Sequence, residues 1–416
     1  MQDAMNDLRQ GPLFPVVAGE TAARSLVSWP GLSRPSTTLL TQTPQVVDGL
    51  TKSGHDTGAT PGLPAVALAP RGTPRATTGE GVPRSSDTTP ANRFAATMVT
   101  TVILAALVLP IPAHALTAYV SNERDNTISV VDLDEMKTIK TIDVGQRPRG
   151  ITLTADGKSI LVCASDDDTI QIIDRATLQI TGELPSGADP ETFALGPGGD
   201  RLFVSNENDQ LVTVIDLPSR KVVAKIPTGV EPEGMAVSPD GRTIVNTSET
   251  TNMAHFIDYE TRKVVATVLV DPRPRIAQFK HDGSELWVSS ELGGTVSVID
   301  PVAHAVKYKI HFDVQGLRDK AIQPVGIRFT KDDSTAFVAL GPANRVAVID
   351  AKTGTVEKYL LVGQRVWQMA FTPDEKYLLT TNGLSNDISV IDVASLKVVK
   401  SIPVGRLPWG VVVSPQ

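Results

Sequence analysis

The stretch Pro232-Glu-Gly-Met-Ala-Val-Ser-Pro-Asp-Gly-Arg-Thr-Ile-Val-Asn-Thr-Ser-Glu-Thr-Thr-Asn-Met-Ala-His-Phe-Ile-Asp258, continued by Lys263-Val-Val-Ala-Thr-Val-Leu-Val270, decides the fold. A short strand at Gly234–Ser238 runs into the turn Pro239-Asp-Gly-Arg242. Asp-Gly favours a tight hairpin because both residues tolerate positive φ. A second strand follows at Thr243–Thr247, a third ends in Phe256-Ile-Asp258, and Lys263–Val270 makes a fourth. Apolar and polar residues alternate with period two, which predicts strands and excludes a helical repeat of the same length.

The same text recurs along the chain. An apolar residue followed by Asp stands at Asp132, Asp174, Asp216, Asp258, Asp300, Asp350 and Asp392, in steps of 42, 42, 42, 42, 50 and 42. A second marker keeps those steps: Pro148, Pro190, Pro232, Pro274, Pro324, Val366 in place of Pro, and Pro408. Four antiparallel strands per repeat of about 40 residues describe a β-propeller blade. The first copy opens at a second-strand position, Thr117-Ala-Tyr-Val-Ser-Asn122, and the last stops after one strand, Trp409–Pro415. Joining the two completes a seventh blade. The predicted fold is all-β, a seven-bladed propeller over 116–416 whose C-terminal strand closes the ring onto the N-terminal blade. Closure removes the exposed sheet edges.

Residues 1–115 differ in kind. Residues 1–92 are rich in Pro, Thr, Gly and Ser without apolar periodicity, which predicts a disordered extension, read as an over-extended start. From Arg93 a basic residue, an apolar run over Met98–Leu109 and Ala113-His-Ala115 describe a secretory signal peptide over 93–115. The run is too short to span a bilayer, so the expected mature form has no transmembrane span and is periplasmic. The formal net charge is -7, and residues 1–115 hold 8 of the 39 basic and 7 of the 46 acidic residues, so the propeller carries -8. That balance argues against a nucleic-acid partner. The one cysteine, Cys163, excludes a disulfide framework and a Cys-x-x-Cys-His haem attachment.

Residues that break the seven-fold repetition are the candidates for function. After the repeated Pro the ring reads Arg149, Glu191, Glu233, Arg275, Val325, Trp367 and Trp409. Before it stand Arg147, Asp189, Glu231, Arg273, Gln323, Arg365 and Leu407. A second ring, on the same face after the second strand, reads Glu123, Ser165, Glu207, Glu249, Glu291, Gly341 and Gly383. Charges fall in blocks and two Trp are adjacent. Arg149, Glu191, Glu233, Arg275, Arg365, Trp367 and Trp409, with Glu123, Glu207, Glu249 and Glu291, are therefore expected to form a ligand-binding channel mouth. Arg would take carboxylates through its planar fork, and Trp would stack on a cyclic ligand. The alternative is that neighbouring Arg and Glu pair with one another. The eight extra residues of the 50-residue step lengthen the connection over 309–324 on that face, as a lid, a docking loop or a tolerated insertion.

Tyr119-Val-Ser-Asn122, Phe203-Val-Ser-Asn206 and Trp287-Val-Ser-Ser290 resemble the repeat motif of YVTN-family propellers. Gln323-Pro-Val-Gly-Ile-Arg-Phe-Thr330, Val338–Val346 and Val362-Gly-Gln-Arg-Val-Trp367 are similar to the PQQ-dependent catabolism-associated β-propeller proteins, of the cytochrome d1-like propeller superfamily. The resemblance implies a seven-bladed ring working beside a quinoprotein dehydrogenase or transport component, with no established catalytic activity. No cofactor is expected. Haem of the d1 type needs axial His, and of His255, His281, His304 and His311 only His311 falls near the mouth. The Glu ring offers oxygen ligands of the kind Ca²⁺ takes, although descent from the repeat explains it more simply. The expected role is a monomeric, non-catalytic binding or docking module. The competing reading is a propeller hydrolase of the lactonase type.

Overall fold

The computed structural model describes residues 116–414. The expected extension over 1–92 and signal over 93–115 lie outside the described residues. Seven four-stranded antiparallel sheets make up the described chain. In the first blade the order is Pro408–Val413, Thr117–Asn122, Thr127–Asp132 and Lys137–Asp143, so the last strand joins the N-terminal sheet. Ala118 pairs with Val413 and Val120 with Val411 across that closure. The inner strands of blades two to seven are Pro148–Leu153, Pro190–Leu195, Pro232–Val237, Pro274–Phe279, Ile327–Phe329 and Val366–Phe371. The expected propeller and its mode of closure are thus present.

The recurring residues have local work. Each of the seven Asp at the end of a third strand accepts backbone N–H bonds from residues two or three further on, as Asp132 does from Asp134 and Glu135 at 2.9 and 2.8 Å. Asp392 does the same for Ser395 at 2.8 Å. These bonds hold the turn into the outer strand and keep most of these carboxyls below their ordinary range. In the hairpin after the inner strand, Asp240 Oδ1 accepts from Arg242 N–H at 3.1 Å, and Gly241 has φ +71°.

The Ser or Thr of the second strand ties one blade to the next. Ser121 Oγ accepts from Gly410 N–H of its own blade at 2.9 Å and donates to the Arg149 carbonyl of the next at 2.7 Å. Ser205, Thr247, Ser289 and Thr381 donate likewise to the carbonyls of Glu233, Arg275, Val325 and Trp409, at 2.6 to 2.7 Å. Inner strands approach so closely that a Cβ on Gly150, Gly326 or Gly410 would lie 2.7 Å from a neighbouring carbonyl oxygen. Cys163 and Ala339 occupy the linking position in the other two blades and supply no hydroxyl. Every bridged carbonyl belongs to the residue after the repeated Pro, so the blade-to-blade link also positions the mouth residues.

Candidate functional site

The residue before the inner strand is left-handed in six blades, with φ of 52° to 60° at Arg147, Asp189, Glu231, Arg273, Arg365 and Leu407. Five of their N–H groups are held by the side-chain oxygen of a residue that is itself left-handed: Asn126, Asp168, Asn252, Asn344 and Asn386. Asn and Asp tolerate this conformation best among residues with a side chain. The repeated scaffold thereby delivers two successive side chains per blade to one end of the ring.

Those side chains form a buried ionic cluster. Arg147 reaches Glu191 at 3.1 Å, Asp166 at 2.6 Å and Asp189. Arg149 pairs with Glu191 and, at 3.3 Å, with Glu123. Arg275 binds Glu233 at 2.8 Å and Glu249, with Glu291 at 3.6 Å. Arg273 lies 2.8 Å from Glu249 and 3.2 Å from Glu291. Arg365 donates to Glu291 at 2.8 Å and to Gln323 at 2.9 Å. All the charged residues predicted at the mouth therefore come together. Arg147, Asp189 and Arg273 belong to the cluster as well, and their place beside the repeated Pro was the signal for them.

Apart from the exposed Asp166, the cluster holds five guanidiniums against seven buried or half-buried carboxyls: Glu123, Asp189, Glu191, Glu207, Glu233, Glu249 and Glu291. Burial favours neutral carboxyls and guanidiniums oppose this, so the outcome differs by site. Glu191 is 0% exposed, and against the upward push of burial Arg149 and Arg147 hold it at about 2. Among the described residues no guanidinium lies within salt-bridge reach of Glu207, and burial together with Glu191 pushes it up to about 10. It is the protonated partner that donates to Glu191. Burial raises Glu233 to about 8 and Asp189 to about 7.

The ring of four Glu does not converge on one point. Glu123 pairs with Arg149, and Glu249 and Glu291 with Arg273 and Arg275. Glu207 instead gathers with Asp189 and Glu191, their oxygens within 4.8 Å of one another. A divalent cation there would have to displace two guanidiniums from Glu191.

The tryptophans do not offer an open wall at the mouth. Trp367 is 8% exposed, with the Arg365 guanidinium 4.3 Å and that of Arg275 5.6 Å from its ring centre. Trp409 is 3% exposed, with Arg149 5.8 Å from its ring centre. Cation–π contacts occupy the surface that a flat ligand would need. The 309–324 connection is packed down: Phe312, Val314 and Ile322 are buried in the same core as Ile327 and Phe329. Asp313 N–H donates to Tyr359 Oη at 3.0 Å.

Beneath the cluster the inner strands of all seven blades enclose an axial cavity of about 140 Å³. The inner strands are buried at the cluster end and half-buried at the other, as in Pro148–Leu153 and Pro190–Leu195. The channel therefore meets solvent opposite the mouth that the sequence singled out. None of the four histidines among the described residues lines the cavity. His255 is buried in a third strand, His281 bonds Asp333 at 2.8 Å in a hairpin turn, His304 packs on Phe256 and His311 ends an outer strand. Cys163 is fully buried, and burial pushes its thiol up.

Two family profiles match parts of the sequence: "Choice-of-anchor I domain" over residues 210–377 and "Lactonase, 7-bladed beta-propeller" over residues 113–225. No curated protein matches it. Among solved structures, hydrazine synthase of Kuenenia stuttgartiensis is 20% identical with a TM-score of 0.62, covering 67% of this chain and 92% of that one. A functionally unknown protein from Desulfotomaculum acetoxidans DSM 771 is 17% identical with a TM-score of 0.62, covering 72% and 98%. The dihydro-heme d1 dehydrogenase NirN, in complex with DHE, is 17% identical with a TM-score of 0.54, covering 71% and 74%. These likenesses show a shared propeller architecture. Among the described residues no helix is long and apolar enough to cross a membrane.

Proposed function

We propose that this protein is a secreted, periplasmic propeller that binds or docks and does not catalyse. Residues 93–115 would direct its export, and its setting would be PQQ-dependent alcohol oxidation beside a quinoprotein dehydrogenase or transport component. The observation that carries the reading is the state of the mouth. The residues that break the repeat there pair with one another and are buried, as Glu191 between Arg147 and Arg149 illustrates. Such a cluster makes a rigid cap on which a partner would register by shape, with exposed rim charges such as Asp166 supplying specificity and on-rate. The packed 309–324 connection is tied to the same cluster through Gln323, which accepts from Arg365.

The test mixes the purified chain with a PQQ-dependent alcohol dehydrogenase and, separately, with a transport component of such a system, and follows complex formation by light scattering and interferometry. A salt-sensitive complex with either supports docking. The absence of a complex with both discards it.

A second reading, a lactonase-type hydrolase, is favoured by the profile match over residues 113–225 and by the carboxyls of Glu207 and Asp189, raised to about 10 and about 7, which still carry protons to donate at neutral pH. Turnover of a panel of lactones, with metal analysis of the same sample, would establish it in place of docking.

A further inference from the structure

The axial cavity is lined by two side chains whose N–H donors, Gln368 Nε2 and Trp409 Nε1, have no acceptor among the described residues. At the position of Arg328 the seven inner strands read Thr152, Ala194, Ala236, Gln278, Arg328, Ala370 and Val412, a single charge among six neutral residues. Two positions earlier in each strand they read Gly150, Thr192, Gly234, Ile276, Gly326, Gln368 and Gly410. Arg328, Gln278 and Gln368 line the cavity from three successive blades.

Arg328 forms no salt bridge among the described residues. It donates to the neighbouring Ile327 carbonyl at 2.7 Å. Desolvation alone pulls it down to about 10, so it is still a cation at neutral pH. Gln368 is 5% exposed and its Nε2 has no partner, and Trp409, 3% exposed, has an unpartnered Nε1. No acidic residue lines the cavity. Buried donors without acceptors are costly, and a half-buried guanidinium with no carboxylate facing it favours an anionic partner. The other side of the cavity, from Ile151, Phe193, Met235 and Val411, is apolar.

We propose that the channel binds a short-chain monocarboxylate, its head on Arg328 with Gln368 and Trp409 Nε1 as further donors, and its tail against Ile151, Phe193 and Met235. Size limits the ligand. An engineered cavity of about 150 Å³ takes benzene, so 140 Å³ suits roughly six non-hydrogen atoms. That is a C3–C4 acid rather than a nucleotide or a sugar phosphate. The proposal rests on the binding reading of the propeller, yet it needs no protein partner.

Calorimetry on the purified chain at pH 7 should show binding of propionate and butyrate, but not of butyramide or inorganic phosphate. Arg328→Gln should weaken butyrate binding at least tenfold, because charge-assisted bonds are the strong ones. The indole N–H resonance of Trp409 should shift on titration of the unmodified protein, which keeps the test independent of how variants fold. An unmoved resonance, equal affinity in a folded Arg328→Gln protein, or phosphate binding in place of carboxylates would each overturn the assignment. Because no dehydrogenase or transport component is in the cell, failure here leaves docking untouched. Butyrate binding without complex formation would remove docking alone.

Discussion

Glu207→Gln isolates the protonated carboxyl of the cluster. In the folded protein Glu207 titrates at about 10 because burial and Glu191 oppose its ionisation. In the unfolded chain it titrates near 4.3. Between those values the folded state holds one proton more than the unfolded state, so stability falls as pH rises by ~1.4 kcal/mol per unit. At pH 7 the accumulated loss is about 4 kcal/mol relative to acid conditions, and at pH 8 about 5 kcal/mol. Glutamine keeps a donor for Glu191 and carries no proton to lose. The variant should therefore match the parent near pH 4 and exceed it increasingly above about pH 5. Urea melts followed by tryptophan fluorescence from pH 5 to 8 read this directly. Asp189 and Glu233, raised to about 7 and about 8, add their own downward slope to both proteins, so the difference between the curves is the measurement. Parallel curves, or a variant weaker than the parent at pH 8, would refute a neutral Glu207.

Other outcomes follow from the same contacts. Glu191→Gln should cost about 3–5 kcal/mol, because it leaves Arg147 and Arg149 buried without their shared carboxylate; chemical denaturation of the purified variant checks it. Cys163→Ser should raise stability by about 1 kcal/mol by supplying the missing blade-to-blade hydroxyl, and thermal melts showing a loss would deny that role to the linking position. Removing residues 408–416 exposes the seats of Trp409 and Val411 and leaves the inner edge of Thr117–Asn122 unpaired. At ~25 cal/mol per Å² a buried Trp alone accounts for about 4–6 kcal/mol, so the truncated chain should show no cooperative melt by calorimetry. An unchanged melting temperature would contradict closure.

The ring was fully legible in the sequence. Blade count, strand order and the closing strand follow from period-two alternation, Asp-Gly turns and a 42-residue step, all local signals repeated seven times. The sequence also marked which charged residues meet, since seven-fold placement brings equivalent positions to one face. It could not give their state. Whether Arg149 meets water, a ligand or Glu191 depends on how closely the inner strands approach, and that spacing is set by blade-to-blade bonds such as Ser121 to the Arg149 carbonyl. The same closeness covers Trp367 with guanidiniums and leaves Glu207 without one. Arg328 stood in the sequence as one Arg in an ordinary strand. Its meaning depends on which carboxylates reach it across the axis, and none lines the cavity it faces. Repetition determined the scaffold because each blade folds by the same local rules. Pairing and burial of charge were decided only by the closed ring, where residues from different repeats meet at its centre.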